Sequence, residues 1–398
     1  MDKVVLAYSG GLDTSIIIPY LKETYHLEVV ACTVNLGQKV DPKRLKDKAL
    51  KSGAAAFYFE DLRETFIKEY IFPALAANAL YQGKYPLATS LSRPLIAKKV
   101  VEVAKRVGAR YLSHGCTGKG NDQVRFELAW KVLAPDLKII APLREWQFKT
   151  REEEIEFAKK RGIPVPVTKK SPYSIDENLW GISIECGVLE DPAVEPPEDA
   201  YQLTVSPQKA PEDPFSIEIA FEKGIPISLN GKKVPPVELI LRLNRLGAKY
   251  GVGRIDMVED RTVGLKSREI YEAPAATVLI TSHQELEKMV LSRSLLELKD
   301  KLSSRYAWLV YQGAWFSEER EALDAFFAIT QRYVTGKVRV RLYKGTASVV
   351  GRQSPYSLYE ETLATYGVKD LFDRTAAKGF IDLLGLPLLL EGRRRSRK

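Results

Sequence analysis

The sequence predicts an α/β protein: a mostly parallel sheet covered by helices, then a second α+β domain, then a helical C-terminal tail. Three observations predict it. From residue 1 to about 165, short apolar runs alternate with helical patterns. Around 164 to 215 the chain becomes rich in proline and acid, and beyond that stretch strands recur in hairpin-like pairs. Parallel strands need a crossover between them, so strand and helix alternate along such a chain.

The elements come in order. VVLAY at 4–8 is an apolar, β-branched run of the kind buried on both faces of a sheet. Gly10 and Gly11 allow a tight turn into a helix bearing Ile16, Ile17, Tyr20 and Leu21. Asp13 or Thr14 is expected to cap that helix, and Pro19 to bend or shorten it. Further strands are expected at 28–34, 55–59, 109–115 and 138–142. Helices lie between them: PKRLKDKALKSG, the long ETFIKEYIFPALAANALY, and RPLIAKKVVEVAKRVG, which Gly108 stops. The proline-rich 164–215 reads as a connecting excursion outside the core. FSIEIAFEKG, IPISL, GKVRVRLYKG and TASVVGRQS then read as strands, with VELILRLNRLGAKYG and SEEREALDAFFAITQRYV as helices. The final FDRTAAKGFIDLLGLPLLLEG is apolar yet too short for a membrane span, and should pack on another surface such as a neighbouring subunit.

Composition narrows the class. The three cysteines, Cys32, Cys116 and Cys186, form no CxxC pair, which argues for a reducing compartment and against a zinc or disulfide framework. The chain enters a core strand at once, so a cytoplasmic protein without membrane attachment is expected. The net charge of +9 suggests nucleic acid at first sight, but the last eight residues, EGRRRSRK, carry five bases against one acid. With that much of the excess on a terminus, nucleic acid is disfavoured as a partner.

The chemistry starts at YSGGLDTS, residues 8–15. Taken alone it is equally an ordinary strand-to-helix turn or a phosphate site, where N–H groups converge at the positive end of a helix. Its adjacent glycines are not the GxGxxG fingerprint, and it lacks the Gly-Lys-Ser/Thr end of a Walker loop; GCTGKG at 115–120 fails the same test. It does resemble the pyrophosphate-binding loop, SGGxDS, of adenylating ligases that split ATP to AMP and pyrophosphate. The loop offers N–H groups from Gly10 to Thr14 and the hydroxyls of Ser9, Thr14 and Ser15 to a leaving group that gains charge.

Four longer blocks narrow the resemblance: ATSLSRPLIAKK at 88–99, SHGCTGKGNDQVRFE at 113–127, SPYSIDENLWGIS at 171–183 and GVGRIDMVEDRTVGLKSREIYEAPA at 251–275. With YSGGLDTS they resemble the argininosuccinate synthase family in its own order, from the first strand to SPYSLY ending at 359. The resemblance implies a ligase of arginine biosynthesis that joins citrulline to aspartate with ATP, through a citrullyl-adenylate. It implies an adenine-nucleotide α-hydrolase-type domain at 1–168, a synthetase domain at 169–360 and an oligomerisation segment at 361–398, in a homo-oligomer of tetramer type. For ATP it implies Ala7, Tyr8, Ser9, Gly10, Gly11, Leu12, Asp13, Thr14, Ser15, the backbone near Val34, and Gly115; Mg2+ should travel with the nucleotide, without a dedicated metal site. For aspartate it implies Thr117, Asn121 and Asp122; for citrulline, Tyr85, Ser90, Asn121, Arg125, Ser174, Ser183, Glu259 and Tyr271. Ser9, Asp13 and Asp122 are the candidate catalytic residues, and the site should lie in the cleft between the first two domains.

The same residues admit blander readings. Asp122 and Arg125 share a helical face and on their own read as a capped helix with a surface ion pair; Tyr271 reads as half-buried packing and Ser174 as a helix cap. Cys116 reads as a small apolar filler and His114 as a satisfied polar residue at a strand end. Two rival functions are a tRNA-modifying ligase of the same loop family and a non-catalytic nucleotide-responsive binding protein. Thiolation wants a cysteine pair near the adenylate, which the spacing of Cys116 and Cys186 does not supply.

Overall fold

A computed structural model describes residues 1–148, 150–164, 172–368 and 370–397. Residues Met1–Tyr356 form one compact unit and Ser357–Lys398 a second. The boundary expected at 168/169 lies outside the described residues.

The first strands and helices are β1 (Lys3–Ala7), α1 (Leu12–Tyr25), β2 (Glu28–Asn35), α2 (Pro42–Lys51) and β3 (Ala56–Asp61). After a helical stretch come α5 (Ala88–Val107), β4 (Tyr111–Ser113), α6 (Asn121–Leu133), β5 (Lys138–Ile140) and α7 (Arg151–Lys160), where α3 (Arg63–Phe66) and α4 (Phe72–Ala76) belong to that stretch. The five strands pair in parallel in the order β3-β2-β1-β4-β5. The chain winds outward from β1 to β3, then returns to place β4 on the other side of β1. The loops after β1 and β4 therefore flank the point where winding reverses, which is where open parallel sheets leave a crevice for ligands.

Two helices differ from expectation, and proline explains one of them. The stretch that reads as one long helix from residue 64 is broken: a π-helical turn, Ile67–Ile71, separates α3 from α4. Pro73 follows two residues after its end and lacks the N–H that an α-helix would use, so the wider turn, closed by Phe72 N–H on Ile67 O, absorbs the mismatch. At Pro19, by contrast, α1 is neither cut nor shortened. Ile16, Ile17, Ile18 and Leu21 are completely buried around it, and this packing outweighs one lost helical hydrogen bond. Neither Asp13 nor Thr14 caps α1: its N-cap is Gly11, and no side chain accepts from the first turn.

The stretch at 164–215 reads as a connection throughout, but its first described part is sheet. β6 (Ser174–Asn178) and β7 (Gly181–Glu185) form a hairpin, and only the segment after Cys186 is loop and short 3-10 turns. The hairpin joins β11 (Arg254–Asp260) and β12 (Lys266–Glu272) in an antiparallel sheet ordered β11-β12-β7-β6. A third sheet, also antiparallel, is built from β8 (Phe215–Glu222), β9 (Ile225–Leu229), β10 (Lys232–Lys233), β13 (Gly336–Tyr343) and β14 (Thr346–Gln353) in the order β10-β9-β8-β13-β14. Its inner face, including Ile217, Ile219, Val338 and Val340, shares one apolar core with α8 (Pro236–Lys249), α9 (Pro274–Val290), α10 (Arg293–Tyr311) and α11 (Glu318–Thr330). α5 contacts both the parallel sheet and the β6-β7 hairpin, so it fixes the parallel sheet against the antiparallel one.

The second unit contains α12 (Glu361–Ala364) and α13 (Ala376–Arg395). α13 exposes Phe380, Ile381, Leu383, Leu384 and Leu388, with Leu383 77% and Leu388 68% accessible. Among the described residues, no helix is long and apolar enough to cross a membrane.

A fully buried polar cluster ties four elements of the core together. The His283 ring nitrogens lie 2.7 Å from Asn78 Oδ1 and 2.7 Å from Gln331 Oε1, and both amide nitrogens donate to Glu287, at 2.6 and 2.8 Å. Lys299 Nζ lies 3.2 Å from the same carboxylate, and both residues are 1% exposed. Burial pulls the Lys299 and His283 pKa values down, opposed mainly by Glu287. Replacing Glu287 by Gln leaves Lys299 buried without its counter-charge. The variant should unfold with roughly 3 kcal/mol less stability by equilibrium denaturation; an unchanged midpoint would contradict this account of the cluster.

Candidate active site

Two loops and one sheet face build the site. In the loop after β1, Ser9 Oγ lies 3.1 Å from Thr14 Oγ1 and accepts from Gly11 N–H at 3.2 Å, while Ser15 Oγ donates to Gly11 O at 2.6 Å. These bonds fix the turn from within and leave the start of α1 uncapped, its N–H groups and dipole turned toward an incoming anion. Lys48 Nζ donates to Gly10 O at 2.7 Å, which places a positive charge beside the loop. Gly10 has φ +78°, and a Cβ there would run into Leu45 Cδ2. Across the crevice, a Cβ on Gly115 would come 2.8 Å from Thr14 Cγ2, so the two loops touch only because this position is glycine.

The opposite wall comes from strand periodicity. Ser183 is paired with Asp176 on one side and Tyr271 on the other, and Ser174 with Glu185. Side chains alternate between faces, so Ser174, Asp176, Ser183, Glu185, Glu269 and Tyr271 point one way. Ile182, Ile184 and Ile270 point the other way, into a small apolar core with Leu189. A polar wall thus stands on an apolar backing.

The wall and the loops meet around a cavity of about 630 Å³. Ala7, Tyr8, Ser9, Asp13, Thr14, Val34, Gly115 and Thr117 line one side; Tyr85, Asn121, Asp122, Arg125, Ser174, Ser183, Glu259 and Tyr271 line the rest. Gly10 and Gly11 form the turn behind Ser9, while Leu12 and Ser15 point into the interior, at 6% and 0% exposure. Ser90 does not line the cavity: it is completely buried, and Thr89 stands at the wall instead, 2.8 Å from Asp176 Oδ2 and 2.9 Å from Ser183 Oγ.

Charge pairing organises the centre. Arg93 donates to Asp122 Oδ2 through Nε at 2.9 Å and Nη2 at 2.7 Å, and Nη2 also reaches Asp176 at 2.8 Å. Arg125 donates to Asp122 Oδ1 at 2.9 Å and to the Tyr311 carbonyl at 2.9 Å. Arg125 is 4% exposed, so the pair is not the surface ion pair that its spacing alone suggests. Burial by itself would raise the Asp122 pKa, but the two guanidinium groups outweigh it and hold the carboxyl below the usual range.

Tyr271 donates to Glu259 Oε2 at 2.6 Å and Tyr311 to Glu259 Oε1, while Asn121 Nδ2 donates to the Tyr311 hydroxyl at 2.8 Å. Tyr85 stacks on Tyr271 with centroids 3.9 Å apart. Burial raises the Glu259 pKa against these hydrogen bonds, and burial beside Glu259 keeps both tyrosines protonated donors. His114 Nδ1 accepts from Cys116 N–H at 3.2 Å, so its proton sits on Nε2, which faces Glu127 at 3.2 Å; the residue is satisfied, as its position at a strand end suggests. The Cys116 thiol is pushed up by burial and nearby Asp122, an inert filler in thiol terms.

Arg93, Asp176, Glu185, Arg261, Glu269 and Tyr311 are part of this constellation, yet sequence reasoning passes over them. A signal exists for most of them: Thr89 and Arg93 stand at i,i+4 on one helix, and SIDEN, ISIE and REIYE alternate polar and apolar residues. For Tyr311, at the end of α10, no local signal exists.

Comparison with known proteins covers the same ground. The arginosuccinate synthase N-terminal HUP domain matches residues 3–164, and the arginosuccinate synthase C-terminal domain matches residues 173–390. A protein of Pelodictyon phaeoclathratiforme named argininosuccinate synthase is 59% identical over 387 residues, 97% of each chain. Proteins of the same name from Chlorobaculum tepidum and Carboxydothermus hydrogenoformans are 57% and 58% identical over 97% of this chain, covering 97% and 96% of their own. With both halves of the cavity inside the matched regions, the chain belongs to the argininosuccinate synthase family.

Proposed function

We propose a division of labour within the cavity for the family's reaction, in which citrulline and aspartate are joined in arginine biosynthesis while ATP is cleaved to AMP and pyrophosphate. One observation carries it: an uncapped, glycine-built helix N-terminus and a wall of paired carboxylates, guanidiniums and hydroxyls open onto one cavity at the switch point of a parallel sheet. An anion fits the first and a zwitterion the second.

In the first step the ureido oxygen of citrulline attacks the α-phosphorus, and pyrophosphate leaves into the turn of Ser9, Gly10, Gly11, Asp13 and Thr14. In the second the amine of aspartate attacks the citrullyl-adenylate carbon and AMP departs. Ala7, Val34 and Gly115 border the nucleotide; Thr117, Asn121 and Asp122 hold aspartate; Tyr85, Arg125, Ser174, Ser183, Glu259 and Tyr271 hold citrulline. With Asp122 ionised and the tyrosines neutral, the groups act by position and fixed charge. Among the described residues no three candidate ligands cluster to cage a metal, and Asp13 is the single carboxylate of the loop. These residues fit a magnesium ion that arrives on the triphosphate, where it would neutralise phosphate charge.

In the same reading, residues 1–168 bind the nucleotide and supply the aspartate loop with Tyr85 and Arg125, and 169–360 supply the rest of the citrulline wall. The exposed leucines of α13 serve subunit contact within 361–398 in a cytoplasmic homotetramer.

Incubation with labelled citrulline, aspartate and ATP should give argininosuccinate, AMP and pyrophosphate; release of ADP and phosphate would refute the reaction. Ser9→Ala or Gly11→Val should slow single-turnover pyrophosphate release by about tenfold or more, roughly 1.4 kcal/mol, while the KM for citrulline moves far less. The reverse pattern would remove the loop from its role. Removing residues 365–398 should lower the number of subunits per particle in light scattering, and an unchanged subunit number would end the proposal for the tail.

A further inference from the structure

We propose that Glu269 is a specificity-determining residue that receives the α-ammonium group of citrulline through its free carboxylate oxygen, with Arg261 and Ser267 holding the other. The inference rests on the assignment of citrulline to the wall formed by β6, β7 and β12.

Glu269 lies on β12 two residues before Tyr271, on the cavity face, and is 6% exposed. Its Oε1 accepts from Arg261 Nη2 at 2.8 Å and from Ser267 Oγ at 3.1 Å. Among the described residues, no donor reaches Oε2. Arg261 is shared: the same Nη2 also bonds Glu185, its Nε donates to Ser267 at 2.8 Å, and its Nη1 donates to Lys119 O at 3.3 Å.

One guanidinium therefore serves two carboxylates: Glu185, 37% exposed, is also solvated, whereas Glu269 is buried and keeps one oxygen without a donor. Neighbouring cations do not make up the difference, since Arg93 and Arg125 are committed to Asp122 and Asp176. Glu259, the other nearby carboxylate, is satisfied by two tyrosine hydroxyls and faces no spare donor either. A buried carboxylate in this position takes up a proton or a cation. In the ligand-free protein the proton wins: burial, then Glu185 and Glu259, raise the Glu269 pKa to about 8 against the pull of Arg261.

Citrulline carries one cationic group, its α-ammonium, and a neutral ureido end. A subsite that keeps a carboxylate half unbonded beside Ser183 and Tyr271 selects that ammonium. Glu269 shares β12 and its cavity face with Tyr271, so the free oxygen belongs to the wall assigned to citrulline.

The test compares citrulline with 5-ureidopentanoate, the same molecule without the amine. Calorimetry of the intact enzyme at pH 7 in two buffers of different ionisation heat should show citrulline binding with release of close to one proton per site. The des-amino analogue should release none and bind at least tenfold more weakly. In Glu269→Gln the KM for citrulline should rise tenfold or more, with the KM values for aspartate and ATP within threefold of wild type, and the preference over the analogue should collapse. Proton release with both ligands or with neither would overturn the proposal, as would a Gln variant that keeps the wild-type preference or one whose aspartate KM moves instead. If the variant does not fold, the wild-type proton count decides alone. Failure of this subsite leaves argininosuccinate formation intact, whereas failure of the assigned reaction abolishes it in the wild type.

Discussion

The carboxylate of Asp122, held between Arg93 and Arg125 at the cavity wall, is the interaction on which the cavity depends. Burying ions is expensive, and such a group persists only when geometry and hydrogen bonds compensate it. Here both carboxylate oxygens are bonded to guanidinium groups, and Arg93 reaches on to Asp176 in the hairpin β6-β7. A single connected network therefore joins α5 and α6, which belong to the parallel sheet, to the antiparallel sheet opposite. Removing Asp122 would leave the buried Arg125 guanidinium without its carboxylate partner. The same constraint holds Asn121 and Arg125 in register with Tyr311 and, through it, with Glu259.

Charge is unevenly distributed along the cavity, and the unevenness comes from the fold. At one end lie the positive end of α1 and Lys48, a setting for phosphates. At the other, the antiparallel wall carries Asp176, Glu185, Glu259 and Glu269 against Arg93 and Arg261, a setting for amino acids that bring ammonium groups. In the proposed reading, three substrates of different charge are sorted along one cavity by position and fixed charge. On that proposal the protein supplies proximity and a fixed electrostatic environment at the atoms that react.

Much of this is legible in the chain. The five parallel strands stand where the apolar runs lie, and the inner β1 and β2 leave the clearest record because their middles are buried on both faces. The turn at Gly10 and Gly11 is a local motif and is visible for the same reason. The hairpin β6-β7 is hidden because its polar face is the site itself: Ser174, Asp176, Ser183 and Glu185 make it look like loop, and its proline-rich surroundings reinforce that impression. The π-helical turn before Pro73 reflects a competition between proline and packing that residue spacing does not decide. Ser90 and Thr89 show the limit most plainly, since adjacent positions on one helix end up on opposite sides of the cavity wall. Tyr311 and Arg261 enter the site only through tertiary folding, from positions far along the chain from the residues they bond.

The central claim is that citrulline is activated by its ureido oxygen at the α-phosphorus while the loop holds pyrophosphate. The most direct measurement is the fate of that oxygen. With citrulline labelled by 18O at the ureido position, the account predicts one labelled oxygen in the AMP phosphate for each argininosuccinate formed, because the bond that breaks in the second step is between carbon and that oxygen. Label in pyrophosphate, or AMP without label, would contradict it.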